Sequence, residues 1–264
     1  MNQRKRRILL ALLNILGYVL VLVVNGMANA LPLNGKTTGE VSSAYPNLFV
    51  PAGITFSIWG VIYLLLLVFV VFLLVKAIQR DHRHCFVVNQ TGPWFFFTCL
   101  LNAGWIFAWH YEQTAVSFVI MVLLLISLIR LYTRLQVGTR DVSKRVKYGA
   151  HLPVSVYLGW ISIATIANAT ALLVAWEWNG AGLGDPFWAA VLIAAGVVLG
   201  LLFLGYRKDT AYALVLVWAY AGIFIRRMNV TDFSLELTAY MALGGIVILS
   251  TGIIFYLLNR TSYY

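Results

Sequence analysis

The stretch AGITFSIWGVIYLLLLVFVVFLLV, residues 52–75, runs for twenty-four residues without a Lys, Arg, Asp or Glu. A helix needs about 20 mainly apolar residues to cross the hydrocarbon core of a bilayer, so this stretch can span one. Seven other runs read the same way, at 8–30, 94–111, 115–133, 151–175, 187–205, 210–225 and 237–258. Only helices and closed barrels satisfy their backbone polar groups inside lipid, and these runs are too long and continuous for barrel strands. The sequence therefore predicts an all-α membrane protein with eight transmembrane helices.

The segments between the runs set the orientation. With the N-terminus in the cytoplasm, sixteen of the nineteen Lys and Arg residues fall on the inner side. They include Arg4 to Arg7, Lys76, Arg80 and Arg83, the cluster from Arg130 to Lys147, Arg207, Lys208 and Arg260. Only Lys36, Arg226 and Arg227 fall outside. Positive charge kept inside is the orientation signal of helical membrane proteins, so both termini are predicted to be cytoplasmic. A bacterial plasma membrane is the simplest location.

Composition agrees. A hydrophobic share of 61% with 11% charged residues is far from an ordinary soluble domain, where about 25% of residues are charged. The net charge of +10 suits loops facing anionic headgroups, and no nucleic-acid partner is expected. Cys85 and Cys99 make no disulfide framework and no metal-site spacing. His82 and His84 beside Cys85 fit a solvated basic loop as well as a metal, so no metal site is assigned. Arg4 to Arg7 and the later Ala28-Asn29-Ala30 imitate a signal peptide, but the apolar stretch between exceeds the usual 7–15 residues. It reads as a retained first helix.

Two connections are long. Residues 31–51, with Pro32, Gly35, Gly39 and Pro46, form an extracytoplasmic loop whose composition opposes a continuous helix. Residues 134–150 form a basic inner loop. The Gly-rich outer loop 176–186 is the seam of the chain, dividing a five-helix part (1–178) from three C-terminal helices (179–264). No internal repeat supports an inverted-repeat transporter.

Amides inside apolar runs are costly unless paired, so Asn14, Asn25, Asn29, Asn102 and Asn168 should face the bundle interior, as interhelical glue or toward a ligand. Trp94, Trp109, Trp176, Trp178 and Trp188 fall where indoles anchor at the headgroup boundary. Trp59, Trp105, Trp160 and Trp218 lie deeper. Asn102 and Trp105 share one helix face, as do Trp59 and Tyr63, and as do Trp160, Ala164 and Asn168. If these faces converge they make flat apolar walls with a few hydrogen-bonding groups, which suits a rigid lipophilic ligand. No lysine lies within a run, no Asp or Glu lies near the middle of one, and no nucleophile–base pair or phosphate loop is visible. No catalytic residue and no obligatory cofactor is expected, and the chain does not read as an enzyme.

Pro51-Ala52-Gly53 followed by Phe56, Trp59 and Tyr63 resembles the second-helix signature of the TspO/MBR family, the tryptophan-rich sensory proteins that include the mitochondrial translocator protein. Leu101-Asn102 with Trp105 is similar to the family's Leu-Asn-x-x-Trp, and Pro153, Tyr157, Trp160, Ala164 and Asn168 are similar to its fifth-helix pattern. The resemblance covers about residues 8–175, with Ala52 where the second family proline would stand and the last three runs outside it. It implies a pocket inside a five-helix bundle, closed by loop 31–51, for porphyrins, haem-type tetrapyrroles or sterols. It implies Pro51, Trp59, Tyr63, Asn102, Trp105, Trp160, Ala164 and Asn168 as ligand-binding positions. It also implies dimers, although Gly196 and Gly200 suit packing within one chain equally. The expected function is a membrane sensor or binding protein for a planar lipophile, alongside the lipid bilayer itself. The alternative is a transporter whose added helices line a route with Tyr212, Trp218 and Tyr220.

Overall fold

The computed structural model describes residues 2–31, 33–79, 85–228 and 233–261, and these are helical without a strand. Pro32, Arg80, His82, Arg83, His84 and Asp232, and with them the reading of the His82–Cys85 loop, lie outside the described residues. The helices are α1 (Gln3–Ala30), α2 (Thr38–Ser43), α3 (Ile58–Ile78), α4 (Cys85–Thr91), α5 (Trp94–His110), α6 (Thr114–Arg134), α7 (Lys144–Val146), α8 (Leu152–Ala175), α9 (Asp185–Arg207), α10 (Thr210–Arg227) and α11 (Phe233–Thr261). A π-turn, Lys147–His151, joins α7 to α8 without a break, so this helix begins well before the apolar run that announced it.

Six helical segments are long and apolar enough to cross a membrane: Gln3–Ala30, Gly53–Ile78, Thr114–Arg134, Lys144–Ala175, Asp185–Arg207 and Glu236–Asn259. The two other runs became α5 and α10, of 17 and 18 residues. At about 1.5 Å per residue they reach roughly 26 Å, just under a hydrocarbon core of about 30 Å. The protein is thus an integral membrane protein.

Local signals explain the ends. Asn2 accepts from the Arg4 N–H to start α1. Pro186 sits in the first turn of α9, where its missing N–H costs nothing. The Asp209 carboxylate caps α10 by accepting from the Tyr212 N–H at 3.1 Å. Loop 31–51 is not fully irregular: Thr37 and Glu40 form a reciprocal capping box that starts the single-turn-and-a-half helix α2.

The packing order closes a ring. α1 lies against α3 and α5, α5 against α6, α6 against α8, and α8 back against α3. The last three helices join through α10, which packs on α8, α9 and α11 and on the 3₁₀ turn Gly53–Ser57 that leads into α3. One buried cluster runs from Ala11 to Leu249, through both groups of helices. Gly196 and Gly200 serve this packing: a Cβ on Gly196 would strike the Tyr220 hydroxyl, and one on Gly200 would meet Leu249 at 2.6 Å. A homodimer would have to use another face. Tyr212 and Tyr220 are fully buried and bonded, to Ser162 Oγ and the Ile193 carbonyl, so they fasten helices and do not line a route.

The buried amides find partners, as the cost of lipid burial requires. Asn14 donates to the Gly92 carbonyl at 3.0 Å and accepts from the Phe96 N–H at 3.0 Å, stitching α1 to the start of α5. Both partners are backbone groups at a helix entrance with no other means of satisfaction. Asn14→Ala should lower stability by about 1–3 kcal/mol, read as a reduced Tm in uncharged detergent. An unchanged Tm would mean that water reaches Gly92.

Candidate functional site

An aromatic cluster occupies the centre of the ring. Trp59 stacks with Tyr63 (centroids 5.5 Å, 19°) and Trp105 (6.3 Å, 27°), and meets Tyr157 and Trp160 edge-on, each at 6.2 Å. Trp105 continues the stack to Trp109 (6.0 Å, 20°), and Phe56 meets Trp160 edge-on at 6.0 Å. Stacked and edge-to-face pairs favour one another through ring quadrupoles, so the rings fix one another's orientation. A polar chain runs beside them: Asn25 donates to Asn102 at 2.9 Å, and Asn102 donates to the Tyr157 hydroxyl at 2.9 Å.

Above the cluster lies a cavity of about 530 Å³, within the range typical of small-molecule sites. Its apolar wall is Phe56, Trp59 and Tyr63, its polar wall is Asn25 and Asn29 of α1, and its roof is Thr37 to Glu40 of α2. Four buried polar atoms around the cluster have no partner among the described residues: Tyr63 Oη, Trp105 Nε1, Trp160 Nε1 and Thr55 Oγ1.

The sequence-derived residues fall into three groups. Trp59 and Tyr63 reach the cavity. Asn102, Trp105 and Trp160 are buried behind them as backing. Pro51, Ala164 and Asn168 stand apart from the cavity: Asn168 accepts from Ser117 on α6 at 2.8 Å, and the Pro51 carbonyl accepts from Arg226 at 3.1 Å. Partners on α6 and α10 satisfy Asn168 and the Pro51 carbonyl, which same-face spacing cannot foretell.

Trp109 corrects an expectation. Instead of anchoring at the membrane boundary it is buried, and its indole N–H donates to the Thr38 carbonyl of α2 at 3.2 Å. Trp218 is 40% exposed and donates to the Thr55 carbonyl at 2.9 Å, so it holds the entrance to α3 from outside. Asn25 lines the cavity and Trp109 holds its roof, although neither is among the ligand-binding positions read from sequence. A buried indole near a helix end and an amide one turn from another amide were the available signals.

The roof is tied down at its edges. Asn34 donates to the His110 carbonyl at 3.0 Å, Lys36 pairs with Glu112, and Tyr45 donates to Glu112 at 3.4 Å. The hydrogen bond from Lys36 holds the Glu112 carboxyl below its ordinary value of 4.5, and bonds from the Thr37 backbone and side chain do the same for Glu40. A depressed carboxyl contributes stability that is complete above its unfolded value and is lost as pH falls through the folded value. Hydrogen exchange of residues 33–45 should therefore be slow and constant from pH 7 to about 5, then accelerate relative to the intrinsic rate in more acid solution. Glu112→Gln should weaken that acid response. Identical acid profiles in both proteins would remove the ion pair from the account.

Geometry thus defines a polytopic helical membrane protein with an aromatic cage beneath a capped roof. The family described as TSPO-like protein matches residues 11–255, and the chain belongs to that family. The match runs through α9, α10 and most of α11, beyond the five-helix part to which the motifs alone pointed. No curated protein and no solved structure matches the chain.

Proposed function

We propose that this protein is a membrane sensor or binding protein for a planar lipophilic molecule, a porphyrin or other tetrapyrrole or a sterol-like ring system, held under α2. The ligand is bound, not converted, and no resident cofactor is required. In this reading all eight long helices cross a bacterial plasma membrane with both termini cytoplasmic, and residues 1–178 hold the ligand while 179–264 brace them. The sixteen Lys and Arg residues that the sequence sorts to the inner side support that orientation.

The observation that carries the reading is the fixed ring of Trp59 on the wall of a 530 Å³ cavity, with the amides of Asn25 and Asn29 opposite. A rigid flat ligand loses little entropy on stacking there, and aromatic pairing adds about 0.5–1.5 kcal/mol beyond the area buried. The unpartnered hydroxyl of Tyr63, a residue of the cavity wall, favours a ligand with a hydrogen-bonding group.

The test is quenching of tryptophan fluorescence by protoporphyrin IX in the purified full chain. Saturable quenching is expected, with affinity reduced about three- to tenfold in Trp59→Phe and in Asn25→Ala. Trp178→Phe, at an exposed ring, should bind as the parent does. Linear quenching that no variant changes would be partitioning into detergent, and the proposal would fall.

A further inference from the structure

At the other end of the bundle, a second cavity of about 840 Å³ opens between the 135–143 loop, the π-turn, the α9–α10 turn and the end of α11. Four cations line it, Arg140, Lys147, Arg207 and Lys208, against two acids, Asp141 and Asp209. Asp209 is engaged within the wall. It is buried, and its carboxylate accepts from the Ser155 hydroxyl at 2.6 Å, the Tyr132 hydroxyl at 2.8 Å and the Tyr212 N–H. Its charge instead organises the wall: Tyr132, which it orients, lies beneath the Arg207 guanidinium at 5.7 Å.

A second, independent observation points inward. His151 lines this cavity, is 6% exposed, and its Nε2 has no hydrogen-bond partner among the described residues. An unpaired ring nitrogen in a buried position is costly. The other ring nitrogen is bonded to the Leu135 backbone, so Nε2 donates in the imidazolium form, and an oxyanion accepting from it would remove the cost and hold that form. The wall is also rigid, since a side chain on Gly138 would collide with the Arg207 carbonyl, leaving the loop and the α9–α10 turn in direct backbone contact.

We infer that this cavity is a phosphate-binding site, built to take a phosphate ester between Lys147, Arg207 and Lys208 with His151 as the buried donor. It is independent of the ligand under α2. Cations between helices at a membrane boundary suit lipid phosphate, and the volume leaves room for the organic part of either a headgroup or a soluble phosphate ester.

Calorimetric titration of the detergent-solubilised full chain distinguishes the sources. Three probes are used: inorganic phosphate, glycerol 3-phosphate and dihexanoyl phosphatidylglycerol. Saturable binding of at least one ester is expected, weakened about tenfold or more in Lys147→Gln/Lys208→Gln, two exposed positions, and also in His151→Ala. Arg4→Gln/Lys5→Gln removes as much charge from exposed sites outside the cavity and should leave binding unchanged. Preference for the lipid would assign a headgroup site, and equal binding of glycerol 3-phosphate a soluble ester. No saturable binding of any probe, or equal losses in both double variants, would overturn the inference.

Discussion

The segment before α3 has few hydrogen bonds of its own, and α10 supplies them. Arg227 donates to the Asn47 carbonyl, Arg226 to that of Pro51 and Trp218 to that of Thr55, while the Ala52 N–H donates to the Gly222 carbonyl. Irregular backbone near a membrane is tolerated only where protein satisfies it, and here one helix does so at four points. The position of Trp59, two residues past the 3₁₀ turn, depends on this clamp. Gly222 is part of it, because a side chain there would collide with the Thr55 side chain.

The same contacts explain the exceptions in the charge pattern. Lys36, Arg226 and Arg227 were the three cations on the sparsely basic side, and each has a defined partner: Glu112, Pro51 and Asn47. They are costly in topology and useful in structure. Arg226 and Arg227 serve backbone carbonyls of the segment before α3, and Lys36 fastens the roof of the cavity.

Much of this architecture was legible in the sequence. Run length gave the helices, and the four-residue spacing of Trp59 and Tyr63 gave the face that reaches the cavity. The spacing of Trp160, Ala164 and Asn168 gave a face as well, but not its partner, which for Asn168 is Ser117. Spacing reports which side of a helix a residue occupies and says nothing of what lies opposite. Trp109 misled for a related reason: a Trp near the end of an apolar run suits the headgroup boundary equally well until a folded loop covers it. Neither α4 nor the π-turn carries a long apolar run, so length gave no sign of them.

The clamp also orders the assembly of the protein in time. Its side-chain contacts join positions 163, 175 and 180 apart in sequence. Chains emerge from the ribosome at about 5–20 residues per second, so α10 follows the segment it holds by on the order of ten seconds or more. Until then the carbonyls of Asn47, Pro51 and Thr55 lack these partners, and the aromatic cage around Trp59 is among the last parts of the molecule to be completed.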